Sequence, residues 1–76
     1  MPMRQSALTH IIQRLELMQR SHHEELRRFE AHGLEKCLVE YHPKGQIFLV
    51  HDLDRQATYS FDNIDLVAIE IYELLG

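Results

Sequence analysis

Six histidines in a chain of 76 residues are the first feature with chemical potential. Imidazole is a common metal ligand and carries a proton or loses it near neutral pH. A zinc centre needs three or four ligands converging at about 2 Å, usually delivered by short paired spacings. His10, His22, His23, His32, His42 and His51 offer no such pair. His22 and His23 are adjacent, and adjacent residues on a helix or strand point in different directions. Convergence in three dimensions stays open, of His42 or His51 with Asp52. Spacing by itself supports no metal centre and no other cofactor.

Other candidate groups are weaker still. Asp52 and Asp54 stand two apart, as in some magnesium sites, but Arg55 adjoins them and no glycine-rich phosphate loop accompanies them. A solvated turn is the expected role. Ser6, Ser21 and Ser60 lack the glycine-framed elbow of a hydrolase nucleophile, and Ser60 reads as the lead-in to the final helix. Tyr41, Phe48, Tyr59 and Phe61 would stack bases only beside a basic groove, so packing is their expected use. Cys37 is the one cysteine and excludes a disulfide within a monomer. Among Lys36, Leu38 and Val39 it reads as a small apolar strand residue, and a lone cysteine fits a reducing cytoplasm. No catalytic residue emerges, and the expectation is a protein that is not an enzyme.

Charge argues against a nucleic-acid partner. The net charge is −4, with +1 on residues 1–32 and −5 on residues 33–76. An acidic chain repels phosphates unless it gathers its basic groups on one surface. Arg14, Arg20, Arg27 and Arg28 are interleaved with Glu16, Glu24, Glu25 and Glu30, the pattern of a solvated, salt-bridged face. The asymmetry between halves would also help two copies pack head to tail. Met1 to Gln5 lack an apolar signal core, and the longest apolar runs are four residues. Spanning a bilayer takes ~20, so a soluble cytoplasmic chain is expected.

A chain of this length, read as one domain over residues 1–76, buries little over ~60% of its unfolded surface. Its core supplies about 3–5 kcal/mol unless a metal, a disulfide or a partner subunit helps. The first helix is expected after Ser6 as N-cap, with Leu8, Ile11, Ile12, Leu15 and Met18 in one stripe and Leu17 opposite it. Residues 21–33 read two ways. As helix, Leu26 and Phe29 extend that stripe and Gly33 caps it; arginine, glutamate and alanine tip the pattern slightly this way. As strand, Arg28 to His32 alternate, with Phe29 and Ala31 on one face.

Farther along, Glu35–His42 and Gln46–His51 form strands around a Pro43-Lys-Gly45 turn. Cys37, Val39 and Tyr41 share one face; Ile47, Leu49 and His51 oppose Phe48 and Val50. Apolar residues on both faces call for cover on both. After a polar connection, Ala57–Phe61 forms a short strand with Tyr59 and Phe61 on one face. The last helix follows, with Asp62 as cap and Asp65 at the positive end of its dipole. Ile64, Val67, Ala68, Ile71, Leu74 and Leu75 make its main stripe. Leu66 and Ile69 fall outside it, between Asp65, Glu70 and Glu73, as a possible oligomer interface.

Phe29-Glu-Ala-His-Gly33, Cys37 and the block Phe61–Leu75 resemble the YkuJ-like family of short, uncharacterised Gram-positive bacterial proteins. The similarity covers nearly the whole chain. The resemblance implies a central antiparallel sheet flanked by helices, with residues 28–32 as the first strand and His32-Gly33 as a hairpin turn. It carries over no catalytic residue.

The reading is therefore an α+β domain in which an N-terminal and a C-terminal helix flank about four antiparallel strands. The expected role is a small non-catalytic interaction or regulatory protein acting as a homodimer or larger homo-oligomer, with no membrane partner. Second comes nucleic-acid binding through the N-terminal-half arginines, and third an unrecognised metal-dependent activity.

Overall fold

The order of elements is α1 (Met3–Arg20), β1 (Glu25–Ala31), β2 (Leu34–His42), β3 (Ile47–Asp52), β4 (Ala57–Phe61) and α2 (Ile64–Leu75). The computed structural model describes residues 3–76; Met1 and Pro2, part of the stretch without a signal core, lie outside them. The strands form one antiparallel sheet in the order β1-β2-β3-β4, each pairing with its neighbour in sequence. The α+β class and the helix at each end agree with the sequence reading.

Both helices pack on the same face of the sheet. Ile11, Leu15 and Met18 of α1 and Val67, Ala68 and Ile71 of α2 are buried against Phe29, Cys37, Val39, Tyr41, Phe48 and Val50. These are the stripes that the 3.6-residue period lays out, and Leu17 stands exposed as expected. Tyr41 and Phe48 are cross-strand partners, with ring centroids 4.8 Å apart. They are core residues rather than a stacking platform.

Several boundaries differ from expectation, among them β2, which begins at Leu34 rather than Glu35, and β3, which runs Ile47–Asp52 rather than Gln46–His51. The helix α1 begins at Met3, so Ser6 lies inside it rather than at its cap. Met3, Arg4 and Gln5 are good helix formers, and nothing local stops the helix at Ser6. At α2 the cap is Asn63, not Asp62: its extended backbone lets Oδ1 accept from Asp65 N at 2.8 Å and Leu66 N at 3.2 Å. Ser60 belongs to β4, one strand position before the sheet ends.

The ambiguous segment is strand, and it starts at Glu25 rather than residue 28. Its helical propensity yields to pairing. His32 and Gly33 hold φ of 57° and 78°, the signature of a two-residue hairpin turn whose twist matches the strands. That turn sets Ala31 against Leu34, and a register shift between Phe29 and Glu30 then brings Phe29 against Cys37, burying the phenylalanine under the helices. His32 is thus a turn residue. In the second hairpin Gln46 N donates to Pro43 O at 3.1 Å, with Gly45 at φ 108°.

Candidate functional site

Cross-strand pairing decides what stands on the face that carries no helix. Leu26 of β1 pairs with Glu40 of β2, which pairs with Leu49 of β3, which pairs with Ser60 of β4. The next rung holds Arg28, Leu38, His51 and Thr58. Glu40 therefore has His42 two residues along its own strand and His51 diagonally across on β3. Leu26 is 53% exposed, while Leu38, Ile47 and Leu49 are half-buried. The expected need for cover on both faces is met on the helix side; the other face is left open.

A hydrogen-bonded row crosses this open face. Glu24 Oε2 lies 3.4 Å from His42 Nδ1, and His42 Nε2 lies 3.2 Å from Glu40 Oε1. The other Glu40 oxygen accepts from His51 Nε2, and His51 Nδ1 lies 2.9 Å from Thr58 Oγ1. The His51 bond is the main cause holding the Glu40 carboxyl below the ordinary carboxylate range; partial burial opposes it and the His42 bond adds to it. Around the row lies a concave groove of about 570 Å³, bordered by Glu24 and Glu25 and floored by Leu26, Leu38 and Leu53.

The arrangement limits the chemistry. All four ring nitrogens of His42 and His51 face an oxygen, so the row fixes the orientation of both rings. Thr58, His51 and Glu40 do run hydroxyl, imidazole, carboxylate. The threonine sits within a strand, however, and not on the strained turn that exposes a hydrolase nucleophile. Glu40 lies between the two rings, and the described residues contain no group of three donors arranged to hold a metal.

Asp52 is elsewhere. It ends β3 on the helix face, opposite Cys37 and 1% exposed, so it cannot join His42 or His51. Its carboxylate is a buried turn clasp rather than a solvated one. It accepts from Asp54 N at 3.0 Å, Arg55 N at 3.1 Å and Arg55 Nη1 at 3.2 Å. The Arg55 amide is the largest influence lowering its titration range. Burial pushes the neighbouring Cys37 thiol up to about 11, with the charges of Asp52 and Glu70 adding to it. Asp54 pairs with Lys36 at 3.6 Å.

The arginines are dispersed. Arg14 lies over the Phe29 ring at 5.9 Å and Arg28 pairs with Glu35 at 3.3 Å. Arg27 and Arg28, being adjacent on β1, point to opposite faces. Arg20 is exposed in the last turn of α1, and His10, His22, His23 and His32 are exposed away from the row.

Leu66 and Ile69 stand one turn apart on α2, 52% and 48% exposed. Glu40, Leu26 and Leu38 were missed as site residues. Alternation on β2 and the length of its turn to β3 hold the signal, since pairing His42 with Ile47 places Glu40 beside His51.

Comparison with known proteins agrees with this architecture. Residues 11–75 match the family described as "Protein of unknown function (DUF1797)". The chain belongs to this family. Within DUF1797 it is 42% identical to the uncharacterized protein YkuJ of Bacillus subtilis strain 168, over 92% of this chain and 98% of the relative. The X-ray structure of YkuJ from Bacillus subtilis is similar at a TM-score of 0.84 and 40% identity, covering 90% of this chain and 95% of that one. The sequence resemblance to the YkuJ-like family is thereby established, and DUF1797 membership brings no assigned activity with it.

Proposed function

We propose that this protein is a small, non-catalytic interaction or regulatory protein of the cytoplasm that acts as a homo-oligomer through the outer side of α2. The observation that carries this reading is the outward pair Leu66 and Ile69, two large apolar side chains half-exposed on adjacent turns. Burying each would contribute about 1.5–3 kcal/mol before the costs of association. For a domain with so small a core, that is a substantial share of stability. Asp65 and Glu73, exposed beside them, would set the register.

The buried lone thiol suits a reducing compartment. Sedimentation of the unmodified chain beside a Leu66→Lys, Ile69→Lys variant tests the self-association.

A further inference from the structure

The groove on the open sheet face has a composition unlike the rest of the surface. Two carboxylates, Glu24 and Glu40, stand in it beside His42 and His51, and among the described residues no lysine or arginine lines it. The two cations elsewhere on this face are already committed, Arg28 to Glu35 at 3.3 Å and Lys36 to Asp54 at 3.6 Å. The floor between the carboxylates is apolar, and Leu26, the second residue of β1, presents more than half its surface. Carboxylates over a low-dielectric floor, with no lysine or arginine beside them, favour a ligand of the opposite sign. Its volume is about 570 Å³.

From this we infer that the open face of the sheet is a docking site for a basic segment of another protein, one that carries apolar side chains between its lysines or arginines. The basic groups meet Glu24 and Glu40, and the apolar ones cover Leu26, Leu38 and Leu53. A second copy of this chain is the poorer occupant, because apposing two such faces sets carboxylate against carboxylate at a cost in desolvation and repulsion. The site lies across the sheet from α2, so it goes beyond self-association through Leu66 and Ile69 and does not depend on it.

The test is a titration of nitrogen-15-labelled protein with a short synthetic peptide alternating lysine and leucine, set beside its glutamate–leucine counterpart. The lysine peptide should shift amide resonances of β1, β2 and β3 around Leu26, Leu38 and Glu40, saturably and more weakly as salt rises, and the glutamate peptide should not. Glu24→Gln with Glu40→Gln should weaken binding about tenfold. Leu26→Lys, at a position too exposed to disturb folding, should do the same and keeps the test valid if the double variant loses its fold. Equal shifts from both peptides, shifts confined to the helices, or full affinity in the Leu26→Lys variant would overturn the proposal. So would concentration-dependent shifts of this face in protein alone, which would make a second copy the occupant. The Leu66→Lys, Ile69→Lys variant should bind the lysine peptide unchanged, which separates this site from the fate of the oligomer.

Discussion

Thr58 stands 2.9 Å from His51 Nδ1, placed so that its hydroxyl can donate to that nitrogen while the opposite ring N–H donates to Glu40. A neutral His51 with its proton on Nε2 thus satisfies both partners. His42 differs, because its two nitrogens face two carboxylates and only a doubly protonated ring donates to both. Nitrogen-15 NMR of the imidazoles above neutral pH should find His51 as the Nε2–H tautomer. An Nδ1–H tautomer would contradict the hydrogen-bonded row.

The row also makes a statement about acid. Glu40 titrates below its ordinary range, chiefly through the His51 bond, so the folded state binds its proton less readily than the unfolded chain does. Its contribution to stability is present above the unfolded carboxylate value of about 4.3 and is lost as pH falls through the lower folded value. Urea unfolding should show Glu40→Gln less stable than the unmodified protein at pH 7. The gap should begin to narrow as pH falls below about 4.3 and close only once pH is under the lower folded value. A gap that is constant with pH would mean that the carboxylate charge contributes nothing.

Cys37 should be silent toward thiol reagents in the native state. It is buried in the core with its pKa pushed up to about 11, leaving about one thiolate in a thousand at pH 8. Labelling by a chromogenic disulfide should follow unfolding and rise sharply in denaturant. Rapid labelling of native protein would show that the β2 end of the core opens easily.

The first hairpin offers a test of backbone geometry alone. Gly33 has φ of 78° and open space where a Cβ would stand, so Gly33→Ala meets strain without a clash. A loss of about 1–2 kcal/mol in urea unfolding is expected. His32→Asn, at a position with φ of 57°, should be neutral or slightly stabilising because asparagine suits that turn site. A neutral Gly33→Ala would place the turn in another conformation.

That hairpin shows where the sequence was legible and where it was not. The stripes of α1 and α2 could be read because helical period and burial coincide at Ile11, Leu15, Val67 and Ile71. Pro43 and Gly45 likewise announced the second hairpin by their fixed and permissive backbones. Around Arg27, Arg28, Glu30 and Ala31 local propensity points to helix, while cross-strand pairing with β2 decides for strand. Asn63 and Asp62 are comparable caps, so one-residue placement was beyond pattern. The His42–Glu40–His51 row depends on register between two strands, which no spacing along one strand reveals. Asp52 misled for a related reason: its neighbours look solvated, yet strand alternation turns it inward opposite Cys37.

Self-association through Leu66 and Ile69 is the central claim, and sedimentation velocity over a concentration series tests it most directly. The unmodified chain should move from monomer toward dimer or higher as concentration rises through the micromolar range. Its thermal midpoint should rise with it. Leu66→Lys with Ile69→Lys should remain monomeric, with a midpoint that no longer follows concentration. An unmodified protein that sediments as a monomer at high micromolar concentration would contradict the account.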